Sequence, residues 1–340
     1  MARAALARST PSTSSVTMGR IRPTSQITTN HTLNQVGGGR GPGNAAVPAV
    51  RRAPIQTYRL AIRKNAIFCP RACSRGSAAM SKDLIPKGYA NTAHGQVHYR
   101  RLPAERDSTG CVVLIHWLPL SSRMYSRVMP ALAERGYETL ALDLLGYGRS
   151  DPRPTSWSMG DWADSVAAAL QAVGVRTPVS VLGGHSGACV AVELALRHPV
   201  LIDRVMLDGC PLLTPELAAT FAAMGRSSRP APLADGSHES LVFRTVRTTF
   251  EHYLPGFKVT PQTIEFLWPA MIDYLETDFV SSAPISAAYD LANTLPAVRH
   301  PVLLLGARTD TLAAHFARAA EYAAVLANFL DGTSSQAGTV

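Results

Sequence analysis

The stretch Val179-Ser180-Val181-Leu182-Gly183-Gly184-His185-Ser186-Gly187-Ala188-Cys189 decides the reading of the chain. The largely apolar run 179–182 has the character of a buried strand. It enters a glycine pair, and the residues after the pair, 187–197, take helical spacing. Within it Gly184-His185-Ser186-Gly187-Ala188 matches Gly-x-Ser-x-small at a strand-to-helix junction, the context in which that pattern carries meaning. A side chain on so sharp a turn is held up into solvent or ligand, and small neighbours let strand and helix approach. Ser186 is therefore expected to project as a nucleophile. Behind it the helix aims N–H groups and its positive dipole end at the same point, which makes the Gly187 amide a donor for an oxyanion. The plainer alternative is a glycine-rich turn with a serine N-cap.

Outward from this junction the chain alternates. A hairpin around Gly95 has its second arm at 96–102, and an apolar strand follows at 111–115. A helix is expected at 124–133, a strand at 137–142, a helix at 159–173, and strands at 203–207 and 301–305. Strands joined through helices predict an α/β fold with a mainly parallel, doubly wound sheet. No Gly-x-Gly-x-x-Gly suggests a dinucleotide. From 211 to 298 the pattern is helical without buried strands, including a helix opening at Thr260-Pro261, and reads as an inserted helical lid. Its aromatics, Phe243, Phe250, Tyr253, Phe266, Trp268 and Tyr274, either cover a ligand crevice or form the lid's own core. The expected division is an extension over 1–82, a first core part over 83–210, the lid over 211–298, and a shortened second core part over 299–340.

The net charge of +9 is local: thirteen of the 33 Lys and Arg precede Asp83, and no Asp or Glu does. From Asp83 onward 20 basic residues face 24 acidic ones, so nucleic-acid binding by the folded part is not expected. The extension is rich in Arg, Ser, Thr, Pro and Gly, the composition of an organellar targeting segment. Chloroplast is preferred to mitochondrion; a disordered tail, or a start at Met80 with a cytoplasmic product, is the alternative. No run reaches the roughly 18 apolar residues that span a bilayer. Five cysteines without paired spacing imply neither a disulfide framework nor a metal site.

With the elbow, His116-Trp117-Leu118-Pro119, and 143–151 reading Asp-Leu-Leu-Gly-Tyr-Gly-Arg-Ser-Asp, the chain resembles the α/β-hydrolase fold family of esterases, dehalogenases and epoxide hydrolases. The resemblance covers 88–213 and, more loosely, 301 onward. It implies that His116 and His185 flank the oxyanion site and that the Leu118 amide is its second donor. Trp117 stands where the family has glycine, so either the backbone there suits tryptophan or the oxyanion hole is altered. Serine rather than aspartate at 186 points away from dehalogenase and epoxide-hydrolase chemistry. A serine needs a base, and the base an acid. Asp310 resembles the family's acid position, with Asp208 as the reserve. For the base two accounts stand: His315, four residues on, or a histidine lost together with a final strand. A cofactor-free hydrolase acting on a small apolar ester-like substrate is expected, and an impaired, ligand-binding member of the fold is the rival.

Overall fold

The computed structural model describes residues 55–60, 85–211, 213–227, 232–253, 258–277, 279–307 and 319–332. Eight strands form one sheet: β1 (Ile55–Leu60), β2 (Lys87–Thr92), β3 (Gly95–Leu102), β4 (Gly110–Ile115), β5 (Tyr137–Leu142), β6 (Val179–Gly184), β7 (Ile202–Asp208) and β8 (Val302–Ala307). Their order is β2-β3-β5-β4-β6-β7-β8-β1. The hairpin strands β2 and β3 run antiparallel to each other, and β3 runs antiparallel to β5. All other pairs are parallel. The apolar runs 112–115 and 205–207 are fully buried because helices cover both sheet faces, as the unbroken hydrophobic pattern requires.

Helices α1 (Val128–Ala133), α2 (Met159–Val173) and α3 (Ser186–Arg197) connect the central strands. The α2 start is set by a reciprocal capping box between Ser158 and Asp161, and its end by Gly174 in the left-handed region. The single helix expected over 124–133 is instead a 3-10 turn, Ser122–Tyr125, followed by the short α1. Ser121 caps that turn with its hydroxyl, and Ser126 already closes it through a backbone bond to Arg123. Five helices fill the lid: α4 (Pro215–Ser227), α5 (Ser237–Tyr253), α6 (Pro261–Glu276), α7 (Phe279–Ala288) and α8 (Leu291–Thr294). The start of α6 at Thr260-Pro261 carries the expected cap. Two buried polar contacts fasten the lid to the sheet: Ser121 donates to Asp273 at 2.6 Å, and the Tyr147 and Ser282 hydroxyls bond each other.

Residues 1–82 are expected to form an extension outside the fold, yet Ile55–Leu60 lies in the sheet as β1, paired in parallel with β8 from Ile55↔Val302 to Leu60↔Ala307. Ile, Thr and Tyr give this segment strand propensity that the arginine-rich composition around it conceals. The position beyond β8 in the sheet is thus held by chain from the N-terminal side. The last described helix, α9 (Ala319–Leu330), packs on α1.

Candidate active site

Strand β6 ends at Gly184 and α3 begins at Ser186, which leaves His185 as the one residue of the turn. Its backbone sits at φ 48°, ψ −116°, outside the regions open to residues with a Cβ, and it is the only non-glycine with positive φ among the described residues. Such a conformation costs about 1–3 kcal/mol and persists only where the surroundings over-determine it. They do so here. The His185 N–H donates to the Asp208 carbonyl at 2.7 Å, and the Ala188 N–H donates back to the His185 carbonyl at 2.9 Å. A Cβ on Gly183 would lie 2.3 Å from the Gly187 carbonyl oxygen, and one on Gly187 would lie 2.6 Å from the carbonyl oxygens of Ile115 and His116. The two positions that must be small are therefore 183 and 187, symmetric about 185. The elbow expected at Ser186 is centred one residue earlier.

Ser186 is the first helical residue, and only 1% of its surface is exposed. Its hydroxyl oxygen accepts the Leu118 N–H at 2.9 Å. Among the described residues no histidine hydrogen-bonds this hydroxyl. His185, by contrast, is only partly buried, and its ring lies 5.0 Å from that of Trp117. Trp117 does not have positive φ, so the backbone where the family has glycine suits tryptophan, and the Leu118 amide still points at the elbow. The Trp117 ring occupies the space that a side chain at Gly184 would need, since a Cβ there would be 2.5 Å from its Cδ1 and Nε1.

His116 is fully buried and acts as a clamp. Its Nδ1–H donates to the Trp117 carbonyl at 2.6 Å and its Nε2 accepts the Leu144 N–H at 3.0 Å, an arrangement that needs the neutral ring. Burial lowers its pKa, partly offset by the nearby charge of Asp143. Asp143 accepts from His98 Nδ1 at 2.8 Å and from the amides of Ser122 and Arg149 at 2.7 and 2.9 Å. Burial pushes this carboxyl up, but the His98 hydrogen bond and charge outweigh it and hold the group well below the usual carboxylate range. The segment 143–151 is therefore tied to both the turn after β4 and the hairpin.

Beneath the elbow Asp208 closes β7, fully buried, in register with Gly184. The Tyr322 hydroxyl, from α9, donates to it at 2.7 Å. Burial first, and then the Asp208 charge, push the Tyr322 and Tyr125 hydroxyls well above their ordinary range. His185 moves the opposite way: burial lowers it to about 4, against a smaller raising effect of Asp208. Its ring is neutral at pH 7. Asp310 and His315, expected as acid and base, lie outside the described residues. Tyr322 and Tyr125 were not singled out from sequence, where each was one more residue in an apolar helical pattern. Of the lid aromatics, Phe250 is buried in the core shared with Trp117 and Tyr322, Phe243 and Tyr274 pack against that core, and Trp268 is 55% exposed. The side chains of Tyr253 and Phe266 lie outside the described residues.

Comparison with known proteins agrees with this architecture. The model of the alpha/beta hydrolase fold matches residues 110–235. The uncharacterized protein Rv2715 of Mycobacterium tuberculosis is 30% identical over 130 residues, 38% of this chain and 37% of its own length. The chain thus spans well under half of that relative. Among solved structures, the enol-lactonase of Burkholderia xenovorans LB400 superposes with a TM-score of 0.56 at 18% identity, covering 72% of this chain and 100% of that one. An esterase from Exiguobacterium antarcticum gives 0.58 at 15% identity, covering 72% and 98%. With its sheet order, its strained turn between β6 and α3 and these matches, the chain has the α/β-hydrolase fold.

Proposed function

We propose that the protein is a hydrolase acting on a small, largely apolar ester or lactone bound at the elbow beneath the helical lid. The observation that carries this reading is the convergence of the strained turn at His185, the N-terminus of α3 and the Leu118 amide at the carboxyl edge of the sheet. Ligands of open α/β sheets bind at that edge. Amides aimed there favour the negative charge that develops on a carbonyl oxygen under attack, an effect worth about 3 kcal/mol per donor. The fold likeness to a lactonase and an esterase agrees with the substrate class. In the form expected from sequence, Ser186 attacks with Asp310 and His315 as its acid and base.

The test is release of nitrophenol from p-nitrophenyl acetate and butyrate, with δ-valerolactone opening followed by pH-stat. Rates above buffer that vanish on heat denaturation are expected, and none above buffer with any of the three would overturn the proposal. The burial of Ser186 favours a second reading, a ligand-binding protein without turnover. That reading predicts that a non-hydrolysable ketone analogue of the butyrate ester raises the melting temperature while no ester is cleaved.

A further inference from the structure

We infer that His185, rather than Ser186, is the side chain the elbow presents to a bound carbonyl compound, where it serves as the general base. This rests on the elbow being the ligand site, as proposed above, but not on which residue was expected to attack there.

The argument is one of register. A nucleophile elbow holds its working residue at the single strained position between strand and helix, with small residues two places before and two places after. In this chain that position is His185, and the flanking small residues are Gly183 and Gly187, each kept small by backbone atoms closer than 2.7 Å to any Cβ. The pattern centred on Ser186 would need the same constraint at 184 and 188. Gly184 faces only side chains, those of Trp117 and Tyr125, and residue 188 already carries a Cβ. Accessibility agrees, since the Ser186 hydroxyl is enclosed and engaged by the Leu118 amide while His185 keeps part of its surface open.

The ring is neutral, and so able to take a proton, and Asp208 partly offsets the burial that lowers its proton affinity. Asp208, whose backbone carbonyl accepts the His185 N–H at 2.7 Å and whose side chain is held by Tyr322, favours the protonated ring. Among the described residues, the Trp117 ring on the loop after β4 lies 5.0 Å from it, and Asp208 on β7 acts on it electrostatically. In the step itself, the neutral ring nitrogen takes a proton from water as the water oxygen bonds to the carbonyl carbon. The tetrahedral oxyanion collapses and the carbon–oxygen bond to the leaving group breaks. The proton passes from the imidazolium to the departing alkoxide, giving acid and alcohol and restoring the ring.

The experiment needs no turnover. The full chain is treated separately with diethyl pyrocarbonate, which carbethoxylates neutral accessible histidines, and with an alkyl fluorophosphonate, which phosphonylates activated serines. Adducts are located by peptide mass spectrometry, with exposed His94 as internal standard and H185N and S186A as site controls. Asparagine keeps a polar side chain at the turn while removing the imidazole, and circular dichroism confirms that H185N is folded. Carbethoxylation of His185 within tenfold of the His94 rate, with Ser186 unlabelled, is the expected result. Phosphonylated Ser186, or a His185 that stays unmodified while His94 reacts, would overturn the inference. Absence of ester cleavage would count against the hydrolase proposal and the base step with it, whereas the labelling pattern tests independently which side chain the elbow presents.

Discussion

Replacing Gly183 with alanine should destabilise the protein by about 3 kcal/mol, the upper end of what overpacking costs. The added methyl would sit 2.3 Å from the Gly187 oxygen, 2.6 Å from the Gly187 carbonyl carbon and 2.7 Å from the Ala188 Cα. All three belong to the first turn of α3, which cannot retreat freely. Gly187 is pressed against the Ile115 and His116 carbonyls on its other side, and the Ala188 amide is bonded to His185. Gly184→Ala meets the Trp117 ring and the Tyr125 hydroxyl instead, side chains with some freedom to shift, and should cost about 1–2 kcal/mol. Gly174→Ala is the control for conformation alone: φ is 67° with nothing within 4 Å of the new methyl, so about 1 kcal/mol is expected. Urea unfolding followed by tryptophan fluorescence gives the four stabilities on one scale. A Gly183→Ala variant within 0.5 kcal/mol of the parent, or one less affected than Gly184→Ala, would refute the placement of the elbow at His185.

Further consequences concern titration, the buried carboxylate and the edge strand. Because the folded pKa of His185 is about 4 against 6.5 for the free side chain, the unfolded chain binds more protons between those values. Stability should therefore fall as pH drops through that window, by up to about 3 kcal/mol, and the fall should flatten in H185N when urea curves are compared at pH 7 and pH 4.5. Asp143→Ala removes the acceptor of His98 and of the Ser122 and Arg149 amides, and should cost about 4 kcal/mol in the same assay. A cost below 1 kcal/mol would show those groups finding other partners. A chain starting at Met80 lacks β1 and leaves the β8 edge unpaired. Relative to a chain starting at Arg51 it should melt about 5 °C lower and self-associate on light scattering, and identical behaviour of the two would argue against β1 as part of the sheet.

Much of the fold was legible because the signals were redundant. The strand at 137–142 and the helix at 159–173 followed from the hydrophobic period, and the structure bounds that helix with the Ser158–Asp161 cap and Gly174, so local signals and fold agree. The strand at 55–60 was hidden for the opposite reason: six residues of ordinary strand propensity carry no weight against a long acid-free stretch, and their stability comes from pairing with β8, about 250 residues away. The buried partners of the site were hidden likewise. Nothing local distinguishes Tyr322 from the other apolar-stripe residues of its helix, and only the sheet's register brings Asp208 to its hydroxyl.

The elbow itself was legible as an elbow but not in its phase. Gly183-Gly184-His185-Ser186-Gly187-Ala188 satisfies small-x-X-x-small about either 185 or 186, and the serine at 186 favours the second centre. The two centres differ in which residue must leave the allowed backbone regions, and that depends on where β6 releases its last hydrogen bond. In this fold Gly184 is still paired with Asp208, the His185 amide closes onto the Asp208 carbonyl, and helical geometry has begun by Ser186. One residue remains to make the whole change of direction. A longer or shorter pairing of β6 with β7 by a single residue would have moved the strain to its neighbour, so the identity of the presented side chain is a property of strand register and only indirectly of the motif.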